Sequence, residues 1–298
     1  MERLRSLIRN ILDVNLRQPV APPESSIDDV RASMLGWSID GSPPGQLDGY
    51  VHDSYFRFLH TWNLIRGATG KCLELGANPY FISWLLKDFT DLDLTLANYF
   101  GPDHVPTPQT VTWNSPNERG SWICEYDYFN LEDARFPYAD ETFDVVLFCE
   151  IIEHLLVDPL HALREINRIT KAGGVVVTTT PNVARLGNVL TLIEGGSIYD
   201  PYSGYGPYGR HNREYNLHEL VLLLRFAGFE PIETFTADAH HEDHSHRRSY
   251  AEAMELCRFR EADLGQYLFT SMRKVRSPKD GYPTALFRSF PKDQMTEW

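Results

Sequence analysis

An α/β fold is predicted, with a doubly wound, mostly parallel sheet of seven strands and a helical extension before it. Three observations predict it. Strand and helix signals alternate from residue 71 onward. Strand runs such as Phe143-Asp144-Val145-Val146-Leu147-Phe148-Cys149 are almost continuously apolar, as strands covered on both faces require. The first strand, Lys71-Cys72-Leu73-Glu74-Leu75-Gly76, stops at a glycine and turns directly into a helical segment. A glycine there lets backbone approach a ligand closely, and the next helix offers it unpaired N–H groups.

The elements follow in order. Residues 1–16 are amphipathic and basic and read as a helix packed on its own domain, because they lack the continuous apolar core of a secretory signal. Residues 17–48 carry Pro19, Pro22, Pro23, Pro43 and Pro44, with Gly41 and Gly45, and read as a linker with a helical turn near Ile27–Leu35. Residues 1–49 thus form the extension. Over 50–66, Tyr50, Tyr55, Phe56, Phe58, Leu59, Trp62 and Ile65 are placed on one helical face, which packs beside the first strand. Strands are expected at 71–76, 93–98, 121–126, 143–149, 173–180, 229–237 and 265–274, and helices at 79–88, 158–170 and 217–227. The main domain spans 50–276, with an insert at 182–216 after the fifth strand, and 277–298 form an irregular tail.

The bulk numbers bound the function. A chain of 298 residues, 42% hydrophobic and 23% charged, buries a core of one large domain with an appendage. Lys+Arg 28 against Asp+Glu 41 leaves −13, which argues against a nucleic-acid partner. Cys72, Cys124, Cys149 and Cys257 show no paired spacing, and the first three lie in or near apolar, strand-like runs and read as reduced core residues. No apolar run is long enough to cross a membrane, so a cytoplasmic location is expected.

Chemistry concentrates in two places. Glu150-Ile151-Ile152-Glu153-His154 sets two carboxylates and an imidazole just past a strand end. His211 lies in the insert, within Tyr205-Gly206-Pro207-Tyr208-Gly209-Arg210-His211. The two carboxylates and the imidazole can converge on one cation at this spacing, and carboxylates with imidazoles suit Mn²⁺, Fe²⁺, Co²⁺ or Zn²⁺ better than Mg²⁺. In a metal-free site, His154 or His211 is the general base. The insert's tyrosines, at 199, 202, 205, 208 and 215, have polar tips that suit sugar rings or planar phenols. The histidines of 240–246 read as a solvated loop.

Three segments together resemble the class I S-adenosylmethionine-dependent methyltransferases: Lys71–Tyr80, Phe143–Leu155, and Lys171-Ala172-Gly173-Gly174 running into Val175–Asn182. The resemblance covers roughly residues 50–237. It implies a Rossmann-like sheet whose last strand is antiparallel, inserted beside its predecessor, and S-adenosylmethionine as cofactor. It implies that Glu74 orients the methionine amino group and that Gly76, Ala77 and Asn78 lie under the methionine and ribose. Asn98 stands where the family has an acid on the ribose hydroxyls, and Asn78-Pro79-Tyr80 stand where further glycines are common. Tyr99 is implied to stack on the adenine, and Asp127 to accept from its amino group unless it only caps a turn. Glu150 takes the position nearest the transferred methyl. The set Glu150, Glu153, His154 and His211 is similar to the ligands of metal-dependent O-methyltransferases, including small-RNA 3′-end and ubiquinone-pathway enzymes.

The function expected is methyl transfer to a hydroxyl on a saccharide or other small metabolite, with Glu150, His154 and His211 as catalytic residues. The rivals are a terminal ribose 2′-O-methyltransferase acting on RNA and a non-catalytic S-adenosylmethionine-binding regulator.

Overall fold

The computed structural model describes residues 17–43, 45–114, 119–133, 135–260 and 262–297. The helix expected over 1–16 lies outside the described residues. The chain begins with α1 (Ile27–Met34), β1 (Ser38–Ile39), α2 (Asp48–Ile65), β2 (Thr69–Leu75), α3 (Phe81–Phe89) and β3 (Asp91–Asn98). It continues through β4 (Gln109–Asn114), β5 (Arg119–Cys124), β6 (Asp127–Tyr128), β7 (Phe143–Cys149), α4 (Pro159–Ile169) and β8 (Thr170–Pro181). Then come α5 (Leu186–Ile193), α6 (Leu217–Phe226), β9 (Phe229–Ala237), α7 (Tyr250–Leu256) and β10 (Tyr267–Lys274). In the tail, β11 (Tyr282–Pro283) pairs in parallel with β12 (Met295–Thr296).

Local chemistry starts the helices. Ser26 and Asp29 form a capping box at α1, as Asn216 and Glu219 do at α6. Asp158 caps α4, whose first residue is Pro159. The start of α3 differs: Tyr80 sits in the left-handed region (φ 71) and gives no side-chain cap. The first N–H groups of α3 are therefore free of a capping side chain where they face the β2 turn.

The central sheet has seven strands in the order β6-β3-β2-β7-β8-β10-β9, with β10 antiparallel to both β8 and β9. Strand order reverses between β2 and β7, and ligands in such sheets bind beyond the strand ends at this point. Successive residues feed opposite cores. Cys72, Val145, Leu147 and Val177 pack with α1, α2 and α3, while Leu73, Val146, Phe148 and Val176 pack with α4 and α6. The extension belongs to the first core: Val30, Met34 and Trp37 are buried in it.

One strand departs from expectation. The segment expected as a sheet strand at 121–126 instead supplies β5, which joins β4 and β1 in a separate three-stranded antiparallel sheet. The sheet edge is taken by the short β6. The physical reason lies in its pattern: Arg119, Ser121 and Ile123 are exposed while Trp122 and Cys124 turn inward, which suits a sheet covered on one face only. Trp113 of β4 stacks on Trp37 at 5.8 Å and ties this small sheet to the extension.

Candidate active site

The ends of β2, β3 and β7 open onto two joined cavities that share Leu75, Gly76, Glu150 and His154. The smaller, about 280 Å³, reaches down to Arg57, Glu74, Glu153, His211 and Tyr267. The larger, about 480 Å³, runs past Ala97, Asn98, Tyr99 and Asn130 to Tyr205 and Tyr208.

Gly76 is the hinge between them. Its φ is 65, and a Cβ there would meet the Ile151 side chain at 2.9 Å. Its N–H and that of Ala77 both donate to the Ala97 carbonyl, which folds the chain across the end of β3. Glu74 is buried beneath, accepting from the Ser83 hydroxyl at 2.6 Å. Burial pushes its carboxyl up to about 8, only partly opposed by Ser83.

Two carboxylates hang from the end of β7 and are steadied by β8. Glu150 holds a left-handed backbone (φ 55), a strained state for a non-glycine residue. Its Oε1 accepts from Thr179 at 2.8 Å and lies 3.8 Å from the Arg57 guanidinium. Glu153 is fully buried; Oε2 accepts from Thr180 at 2.8 Å, and Oε1 has no hydrogen-bond partner. Burial first, then the Glu150 charge, pushes the Glu153 carboxyl up.

The two imidazoles are oriented by their far nitrogens. His154 Nδ1 donates to the Arg210 carbonyl at 2.9 Å, which leaves Nε2 facing Glu153 Oε1 at 3.9 Å. His211 Nδ1 sits 2.9 Å from Glu214 Oε1, and Glu214 is in turn held by Arg185. Burial and the neighbouring His211 pull His154 down. For His211, burial is outweighed by Glu214 and Glu153, so it is raised. The rings stand 5.0 Å apart, nearly perpendicular.

Among the described residues, Glu153, His154 and His211 offer ligand atoms all within 4.8 Å of one another. Glu150, expected as a fourth ligand, stands outside this grouping, because Thr179 and Arg57 hold its carboxylate. Two imidazoles and one carboxylate are a donor set that binds Fe²⁺, Mn²⁺ or Zn²⁺. The unpartnered Glu153 Oε1 fits a cation there.

The other expected residues fall out as follows. Asn78 and Asn98 line the cavities, but the Asn98 side chain accepts from the Asn78 N–H at 2.9 Å and donates to the Tyr80 hydroxyl at 3.0 Å. Tyr99 walls the larger cavity beside Tyr128 and Tyr208. Asp127 is exposed and accepts from Tyr138 at 2.8 Å; at this edge Phe129, Asn130 and Leu131 line the cavity instead. Most of the 240–246 segment is exposed, as expected of a solvated loop.

Sequence reasoning missed Arg57, Thr179, Thr180 and Glu214. Arg57 is the lone Lys or Arg of α2, set among aromatic residues, and that contrast is a readable signal. It is buried, donates to Tyr50 at 2.7 Å, and keeps an unpartnered Nε.

Residues 78–178 match the model of a methyltransferase domain family. The ubiquinone biosynthesis O-methyltransferase of Ruegeria pomeroyi is 32% identical over 111 residues, which cover 37% of this chain and 43% of that one. A protein of the same name from Cereibacter sphaeroides is 30% identical over 139 residues, covering 46% and 53%. The chain thus spans about half the length of the curated relatives it matches. A solved S-adenosylmethionine-dependent methyltransferase from Archaeoglobus fulgidus superposes with a TM-score of 0.45 at 15% identity, covering 84% of this chain and 95% of that one.

Proposed function

We propose that this chain, which carries a class I S-adenosylmethionine-dependent methyltransferase domain, moves the sulfonium methyl group to a hydroxyl of a small acceptor. The observation that carries the hydroxyl is the convergence of Glu153, His154 and His211 at the floor of the smaller cavity. The sulfonium is already activated, so the protein must align the nucleophile and take its proton. Both imidazoles present Nε2 to the chamber, because Nδ1 of each is engaged elsewhere. His154, held low by burial, is neutral near neutral pH and suited to accept that proton.

The cofactor runs through both cavities in this reading. Its methionine end lies over Gly76 and Ala77, with the ammonium toward Glu74 and the carboxylate toward Arg57. Its adenosine occupies the larger cavity between Tyr99 and Asn130. A divalent cation, if one is bound, is held by Glu153, His154 and His211 and supplies a lower pKa for a hydroxyl. The curated relatives, which are named as O-methyltransferases, support an oxygen acceptor. A saccharide acceptor draws support from Tyr205, which lines the larger cavity, and from the exposed Tyr199 and Tyr202 of the same insert.

The test is transfer of labelled methyl from S-adenosylmethionine to a panel of hydroxylated sugars and phenols. Transfer to one of them, reduced roughly 10²–10⁴-fold in His154→Ala with cofactor binding kept, supports the reading. Transfer that survives the substitution removes His154 as the base.

A further inference from the structure

We propose that Asn98 is a positioning residue for the cofactor turn, fixed in a one-way hydrogen-bond relay that starts in the accessory sheet. The proposal rests on the cofactor placement above. At the outer end, Asp40 accepts from the Thr110 N–H at 2.7 Å and from Gln109 Nε2 at 3.0 Å. A carboxylate can only accept, so the Gln109 carbonyl oxygen must face the turn. There it accepts from the Tyr80 hydroxyl at 2.6 Å and from Asn78 Nδ2 at 3.0 Å. At the inner end, the Asn78 backbone N–H donates to Asn98 Oδ1 at 2.9 Å. A backbone N–H can only donate, so the Asn98 amide nitrogen must face Tyr80, to whose oxygen it donates at 3.0 Å.

The two directed ends meet at Tyr80, whose single proton goes to Gln109. Asn98 is 4% exposed and Tyr80 fully buried, so water does not replace a lost partner. Tyr80 also holds the left-handed backbone that begins α3. A non-glycine residue stays in that region only when its surroundings fix it. The relay fixes it and thereby sets the turn from Gly76 to Tyr80.

An acid at position 98 and the present direction of the relay therefore exclude one another. In Asn98→Asp, a carboxylate oxygen faces the Tyr80 oxygen. One proton then serves both that carboxylate and Gln109, and one of these buried contacts becomes repulsive. Placing an acid at this position weakens the site instead of improving it.

The experiment is a double-mutant cycle of wild type, Asn98→Asp, Asp40→Asn and the double variant. Each is read by calorimetric titration with S-adenosylhomocysteine and by thermal unfolding. Asn98→Asp is expected to bind about ten-fold more weakly and to melt lower. Adding Asp40→Asn is expected to recover most of both losses, because the new amide donates to the Gln109 carbonyl, the Gln109 amide turns to the Tyr80 oxygen, and the Tyr80 proton is left for the new carboxylate. Equal or tighter binding by Asn98→Asp overturns the proposal, as do strictly additive effects. If wild type itself fails to bind, the cofactor placement falls, and the melting cycle alone decides the relay: recovery in the double variant upholds it and additivity overturns it.

Discussion

His211 enters the chamber from the 182–216 insert, and Glu214 sets which of its nitrogens faces inward. Glu214 is itself held low, because its bonds to His211 and Arg185 outweigh its burial, so it stays an acceptor. Glutamine at this position can donate to Nδ1, which moves the ring proton to Nε2 and points it at Glu153. Glu214→Gln is therefore expected to lower kcat by about 10–100-fold, with KM for the cofactor little changed and Glu214→Asp recovering part of the loss. Steady-state kinetics of the three proteins check this, and a fully active Glu214→Gln sinks the orienting role. The cluster at 150–154 was legible because its residues are contiguous and follow a strand end. Thr179 and Thr180 were not, because what makes them part of the site is the pairing of β7 with β8. Asp127 misled for a related reason: Tyr138, eleven residues on, draws its carboxylate outward.

Elements carry a different constraint, visible where β2 packs on α3. Glu74 and Ser83 meet in that seam, buried from water. Glu74 loses its proton near its ordinary value of 4.5 when the chain is unfolded and near 8 when it is folded. Between those values the folded state binds the extra proton, so stability falls as pH rises through the window, by up to roughly 1 kcal/mol per pH unit. Melting of the ligand-free protein at pH 6 and pH 8 is expected to show this fall, and Glu74→Gln to flatten it. An unchanged slope in the variant removes Glu74 as the cause. The seam was legible as strand, glycine and helix, and β7, β8, β9 and β10 were legible as apolar runs. The β4–β5 hairpin was not, since a half-exposed strand is apolar enough to be taken for an edge of the main sheet. Its true partners, β1 and the Trp37 ring, lie far away in sequence.

At the scale of the whole molecule, the strand order places every element of the account at one end of the sheet. Gly76, Asn98 and Glu150 follow or close β2, β3 and β7, the insert brings His211 over them, and α2 brings Arg57 up from beside them. The extension that reads as a linker contributes instead to the core under that site, through Trp37 against Phe81 at 4.8 Å. The net charge of −13 suits a small acceptor better than a polyanionic one. All of this depends on the cofactor lying across Gly76. Calorimetric titration of S-adenosylhomocysteine into wild type and Gly76→Val tests it most directly. One-to-one binding is expected of wild type, and its loss of the variant, whose side chain meets Ile151 and strains a left-handed backbone. No binding by wild type at millimolar ligand, or unchanged binding in a folded Gly76→Val, would contradict it.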